Sequence, residues 1–441
     1  MFLLQKLTAS LREDRVIIRV LRNSGYLFSG NAISAALGFI QGIFVVRLLG
    51  IEQFGALTAI MLFASNVNRL LSFRMSEVTV KYMGEALAQE NKDRAASLAK
   101  WIGVAEALTS ILAYIVLFLL APWFSKDPAT LNLYRYYGLF LLANLVYETS
   151  TGILQVTDKF SRAAFANLIQ SLTTAALILL AFFMRWGMFE ILTAYLVGKT
   201  VAAFVVAGSA IGELTRKVGN IWISASPRSV AEWKSIGKFA LSTNVNGTVN
   251  LFARDNVPLY IRYFVSDTAL GYFRLASSLI NLVMLPIEPF IWPTYAEITR
   301  AVAQRQWQAA RQLLKQVSAI GAIWTLVAGG GLITLGWWFI PFVYGAESAP
   351  AYQCVLILLI GYGVANIANW NRPLLLALGH PNYPLMVAAI TGAVEIILIF
   401  VFVPSGGYLV GTAIFSAYLA VSIIINVMRG LSILKHNEST T

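Results

Sequence analysis

Apolar residues run in stretches of about 20 along this chain, and between them it turns polar, charged or rich in Gly and Pro. That is the cadence of a chain crossing a bilayer many times. Twelve spans can be drawn, at about 24–46, 54–72, 99–121, 134–156, 164–184, 188–210, 238–261, 270–292, 314–340, 352–376, 383–403 and 407–428. Spans seven and eight are the least apolar. Residues 1–23 follow a different rule. There Lys6, Arg12, Arg15, Arg19 and Arg22 are interleaved with Leu11, Val16, Ile17, Ile18, Val20 and Leu21. With no continuous apolar core and no small-residue cleavage site, this segment is expected to lie on the cytoplasmic face as an amphipathic stretch. The expected fold is all-α and integral to the membrane, with about twelve transmembrane helices.

Composition narrows the function classes. Of 441 residues, 58% are apolar and 12% are charged, about half the charge of a soluble globular protein. A soluble enzyme, a disordered scaffold and a secreted disulfide module are excluded, the last because Cys354 is the only cysteine. The net charge of +12 reads as basic cytoplasmic loops, not as a nucleic-acid footprint. With the N-terminus inside, about 24 of the 33 Lys and Arg fall in cytoplasmic loops and about 6 outside. An odd number of spans would scramble that bias, so both termini are expected in the cytoplasm of a multi-pass plasma-membrane (inner-membrane) protein. The cytoplasmic connections 74–98, 211–237 and 293–313 mix charge with small apolar residues, as surface-lying helices do. The longest outside connection, 122–133, has no room for a folded domain.

The two halves resemble each other. Arg47-Leu48-Leu49-Gly50-Ile51-Glu52-Gln53-Phe54-Gly55 follows span one, and Arg262-Tyr263-Phe264-Val265-Ser266-Asp267-Thr268-Ala269-Leu270-Gly271 follows span seven with one extra residue. Trp186-Gly187-Met188 and Gly406-Gly407-Tyr408 likewise precede spans six and twelve. A six-span unit is even, so its duplicate enters the membrane in the same orientation, with a seam between the lobes. The expected partition is an N-lobe at 24–215, a cytoplasmic linker at 216–237, a C-lobe at 238–430 and a tail at 431–441.

The chemical inventory then excludes most catalysis. Only His380 and His436 are present, too few for a His-rich metal site or a Ser-His-Asp triad. Gly198-Lys199-Thr200 imitates the end of a phosphate-binding loop, but position 193 is Thr where the first glycine belongs, and the motif lies inside a span. No cofactor, no metal and no enzymatic activity are expected. What remains is charge placed where it costs about 2.5–3.5 kcal/mol on insertion scales. The carboxylates in or near spans are Glu106, Glu148, Asp255, Glu288 and Glu395; the cations are Arg69, Lys199 and Arg254, with Arg47, Arg74, Arg262 and Arg274 near span ends. Those at span ends can also snorkel to the interface.

Span seven is the most informative. Thr243, Asn246, Asn250 and Arg254 recur at helical spacing as one polar stripe. Asp255 points about 100° away from Arg254, so these neighbours cannot pair, and Pro258 removes a backbone hydrogen bond as broken helices at transport sites do. Span one carries Asn31, Ser34, Gly38, Gln41 and Gly42 on one face, a pattern that suits either close helix packing or cavity lining. The candidate substrate-binding set is therefore Arg47, Arg69, Arg254, Asn31, Gln41, Asn246 and Asn250. Asp255 and Glu148 are the candidate ion-coupling carboxylates. A cationic seam suits an anionic group such as a diphosphate.

Phe44-Val45-Val46-Arg47-Leu48-Leu49-Gly50-Ile51-Glu52-Gln53-Phe54-Gly55-Ala56-Leu57 resembles the signature after the first span of polysaccharide-export flippases, of the multidrug/oligosaccharidyl-lipid/polysaccharide exporter superfamily. Arg254-Asp255-Asn256, followed by Asp267-Thr268-Ala269-Leu270-Gly271-Tyr272-Phe273-Arg274-Leu275-Ala276, resembles that family's span-seven and span-eight pattern. The resemblance covers essentially the whole chain. It implies a flippase that moves undecaprenyl-diphosphate-linked oligosaccharide for O-antigen, capsule or exopolysaccharide synthesis by alternating access, often coupled to a proton or sodium gradient. It also implies the lipid-linked oligosaccharide and membrane lipids as partners, with a polysaccharide polymerase or chain-length regulator as neighbour. The lipid II branch has a further helix pair for which this chain has no room. The drug-exporting branch carries span-one acids, and none occurs between Ser24 and Val46, so a cation-coupled exporter of small amphipathic molecules is the weaker alternative. A glycan polymerase or ligase would need a sizeable periplasmic catalytic loop.

Overall fold

A computed structural model describes the backbone of residues 15–226, 230 and 232–439; side chains are described from Ala32 onward, except at 245–247, 250, 284, 289, 290 and 292. Among the described residues all regular structure is helical, and the all-α transmembrane fold expected from the apolar periodicity is the fold observed. In chain order the helices are α1 (Arg15–Leu71), α2 (Met75–Val78), a π-helical turn (Thr79–Met83), α3 (Gly84–Ala88), α4 (Lys92–Phe124), α5 (Pro128–Tyr137), α6 (Phe140–Ala143), α7 (Tyr147–Val156), α8 (Phe160–Met184), α9 (Met188–Val218) and α10 (Ile221–Ser224). The second half has α11 (Trp233–Asn250), a second π-helical turn (Leu251–Asp255), α12 (Val257–Phe264), α13 (Asp267–Met284), α14 (Glu288–Ala303), α15 (Trp307–Tyr344), a 3-10 turn (Ala346–Ser348), α16 (Ala351–Ile367), α17 (Asn371–Ala377) and α18 (Asn382–Ser439).

Among the described residues, eight stretches are long and apolar enough to cross a membrane, and two of them, Ala32–Ala88 and Asn382–Ser439, are long enough to cross twice. The sequence pattern predicts loops between spans one and two and between eleven and twelve; the structure instead turns each corner at a single glycine, Gly50 at φ 78° and Gly407 at φ 74°. Only glycine takes that backbone conformation without a Cβ clash. The weakly apolar spans seven (α11–α12) and eight (α13–α14) complete a set of about twelve.

The chain divides into two compact units. The first comprises Met1–Gln41, Val67–Met184 and Phe189–Asn244; the second comprises Gly42–Asn66, Arg185–Met188 and Val245–Thr441. The end of span one and the start of span two thus sit in the second unit, whereas the sequence-derived lobes place them with the first half. The first unit buries Val78, Met83, Leu98, Ile102, Leu154 and Val206 in one apolar cluster. In the second, Ile298, Leu314, Trp370, Leu374 and Leu434 form another.

Within the second unit, the two repeated motifs meet. A Cβ placed on Gly55 would lie 1.8 Å from the Asp267 carbonyl oxygen, and one placed on Gly271 would lie 2.5 Å from that of Ile51. Matching glycines of the two motifs therefore let backbone approach backbone, which any side chain would prevent. Asn66 also donates to the Asn256 side-chain oxygen, and Arg262 pairs with Asp267. The two glycine contacts and the Asn66–Asn256 bond tie Gly42–Asn66 to this unit.

Candidate functional site

Each unit holds a polar centre at a helix interruption. In the second, the interruption is the π-helical turn Leu251–Asp255, closed by the Asn256 amide donating to the Leu251 carbonyl at 3.0 Å. Pro258 lies at the start of α12. It has no N–H for the carbonyl of Arg254, four residues earlier, and its ring would crowd that oxygen in a regular helix. The widened turn relieves both problems, and such turns recur at functional sites. It presents Arg254 and Asp255. Arg254 is exposed and hydrogen-bonded to Tyr362, with Asp255 and Tyr418 close by.

Span eleven lies tightly against this turn. A Cβ on Gly392 would fall 2.3 Å from the Ala253 Cβ. One turn later, Glu395 is 2% exposed and neither carboxylate oxygen has a hydrogen-bond partner. Tyr260 and Tyr418 are its electrostatic neighbours. A carboxylate buried without donors is costly.

In the first unit the interruption is in span four, where Asn144-Leu145-Val146 separates α6 from α7. The Asn144 side chain donates to the Phe140 carbonyl at 3.1 Å. No local side chain caps the start of α7. The cap comes from span three: Glu106, 1% exposed, accepts from the Glu148 amide at 2.7 Å and the Thr149 amide at 2.8 Å. Those are the second and third amides of α7, the donors that a helix start leaves orphaned. Glu148 in turn accepts from the Ser76 hydroxyl at 3.0 Å. Lys199, on span six, stands 3.5 Å over the centre of the Tyr147 ring and feels both carboxylates.

The predicted site residues distribute as follows. Arg254 and Asp255 share the π-helical turn. Glu148 lies in the first unit's centre. Gln41, 5% exposed, donates to the Ser171 carbonyl at 2.8 Å, a helix-packing contact. Arg47 belongs to the second unit, the same as Arg254, and donates to the Phe342 and Val343 carbonyls at 2.5 and 2.7 Å. It thereby caps the end of α15, as cations do at helix C-termini. Arg69 is exposed in the last turn before Leu71, in the first unit. The side chains of Asn31, Asn246 and Asn250 lie outside the described residues.

Glu106, Lys199 and Glu395 belong to these centres although the candidate set above omits them. The signal was a lone charge inside an apolar run. Among the described residues, no group of three His, Cys, Asp or Glu side chains is arranged to hold a metal ion.

The family model for "Polysaccharide biosynthesis protein" matches residues 20–295, well over half of the chain. Inner membrane protein YghQ of Escherichia coli (strain K12) is 23% identical over 349 residues, covering 78% of this chain and 97% of that protein. Among solved structures, an inward-facing multidrug resistance MATE family transporter of the MOP superfamily superposes with TM-score 0.73 at 13% identity, covering 92% of this chain and 96% of that one. Lipid II flippase MurJ in an inward closed conformation superposes with TM-score 0.73 at 15% identity, covering 93% and 90%. At such identities the two structures establish the fold that this chain shares with them.

Proposed function

The chain belongs to the polysaccharide biosynthesis protein family, and from that premise we propose that it is a flippase for undecaprenyl-diphosphate-linked oligosaccharide, moving repeat units for O-antigen, capsule or exopolysaccharide across the inner membrane by alternating access. The observation that supports this most is Arg254. A guanidinium on a widened helical turn, steadied by Tyr362 and left exposed, is suited to gripping a diphosphate through several oxygens without holding it irreversibly. On span seven, Asn246 and Asn250 are proposed to extend that grip; in the first unit, Asn31 and Arg69 are proposed as further substrate-contacting groups, and such a role for Gln41 has to compete with its bond to the Ser171 carbonyl. A head-group role for Arg47 has to compete with its two carbonyl bonds. Asp255 and Glu148 are the proposed coupling carboxylates. We further propose that both termini lie in the cytoplasm, that the spans form two six-helix lobes, and that a polymerase or chain-length regulator is a neighbour.

A second reading, a cation-coupled exporter of small amphipathic molecules, is favoured by one observation: Tyr418 interacts with two acids, Asp255 and Glu395, and with one cation, Arg254. The two readings separate in vivo. Arg254→Ala is expected to stop surface glycan export at unchanged protein abundance, with lipid-linked oligosaccharide accumulating in the cytoplasmic leaflet. Export that continues at the parental level removes Arg254 from the head-group role.

A further inference from the structure

Two carboxylates in the first unit join three chain segments that are distant in sequence. Glu106 on α4 binds the first amides of α7, and Glu148 on α7 binds Ser76 at the start of α2. We propose that Glu106 is a proton-binding site whose occupancy sets how firmly the second half of span four is docked. This rests on reading the chain as a transporter and names the group through which a proton acts on it.

Acceptor capacity decides how many amides Glu106 can hold. As a carboxylate, Glu106 uses one oxygen for each amide, so the positive end of α7 meets a full negative charge. A bound proton neutralises that charge and turns one of the two oxygens into an O–H donor. That oxygen then faces an N–H, donor against donor, and one of the two bonds is lost. Such a buried amide loses its partner at the first turn of a helix only three turns long. Glu148 sits on that turn, so its bond to Ser76 loosens with it, and the protonation of one side chain is transmitted to the end of span two.

The surroundings determine when this happens. From α7, the Glu148 carboxylate and the Tyr147 phenol are neighbours of Glu106. From α9, Lys199 lies over the Tyr147 and Phe140 rings and interacts electrostatically with Glu106 and Glu148. On the π-helical turn Thr79–Met83, Lys81 lies over the Phe239 ring. Arg135 on α5 lies over the Phe118 ring, and Glu77 on α2 pairs with Arg74. The short helix α3 carries Glu85, and α6 and α10 carry no titratable side chain. Lys199 is thus the cation set to tune Glu106. Stacked over an aromatic ring, it supports the carboxylate from outside the two amide bonds.

The test uses the full-length chain in lipid nanodiscs, with hydrogen exchange of the peptide spanning Tyr147–Gly152 followed across pH and corrected for intrinsic exchange rates. In the parent protein, protection is expected to fall on acidification through a single titration. Glu106→Gln keeps one acceptor oxygen and cannot titrate, so protection should be constant with pH at the level of the acid form. Lys199→Met leaves Glu106 in place and removes the supporting charge, so the midpoint should rise by about one pH unit or more. The peptide Asn371–Ala377 in span ten serves as internal reference and should not respond.

Protection that is independent of pH in the parent protein would identify Glu106 as a permanent cap and overturn the proposal. So would an unmoved midpoint in Lys199→Met, a variant that also serves if Glu106→Gln does not fold. No substrate enters this measurement, so its outcome is independent of whether Arg254→Ala abolishes glycan export.

Discussion

Span four and span ten are both broken within the membrane, and the two breaks are held by different chemistry. In span four, Glu106 from span three accepts from two amides of α7. In span ten, the gap between α16 and α17 is braced from span nine by neutral groups. The Asn366 side chain donates to the Thr325 hydroxyl at 2.7 Å and the Trp370 indole to the Ser318 hydroxyl at 2.7 Å. Gly321 admits the Asn366 carbonyl, which would lie 2.7 Å from an added Cβ. Ser318, Gly321 and Thr325 lie at i, i+3 and i+7, one face of α15. A neutral brace holds equally at every physiological pH, whereas a carboxylate brace can be switched by one proton. The break in span ten is thus fixed architecture, and the break in span four is the proposed convertible joint.

Three substitutions test that contrast. Glu106→Ala strands two buried amides at about 1–3 kcal/mol each, so the largest loss of thermal stability in detergent is expected there; a melting temperature equal to the parent's would remove the cap. Gly321→Ala drives a Cβ into backbone, which cannot swing aside as a side chain can, and should cost about 1–3 kcal/mol. Its effect should be the same at acidic and neutral pH, and a pH-dependent loss would blur the distinction between the breaks. Ser318→Ala removes only the acceptor of the Trp370 indole and should cost about 1 kcal/mol. A loss exceeding that of Glu106→Ala in the same melting assay would invert the comparison.

Much of the second unit's centre was legible in the chain. Arg254, Asp255 and Pro258 stand together in a span that already carries a polar stripe, and a proline inside a helix announces an irregularity. The widened turn itself was not legible, because the sequence shows a missing donor without showing how the backbone adjusts. Arg47 looked like a ligand for an anion by its place at a span end; that it instead meets the carbonyls of Phe342 and Val343 depends on a contact across nearly 300 residues. Glu106 and Lys199 were visible as in-span charges, yet nothing in their spacing connected either to residue 148.

Apolar periodicity alone was enough to set the number and rough limits of the helices, because each span must satisfy its own backbone inside a bilayer wherever its neighbours are. Duplicated motifs with glycine at matching places were equally plain. Only the folded chain decided that Gly55 and Gly271 would meet each other, that single glycines would turn the corners at 50 and 407, and that a span-three acid would close a span-four helix. Those outcomes depend on which surfaces come into contact, and a carboxylate's partner is chosen by proximity in space, which a linear pattern of apolar and polar residues does not encode.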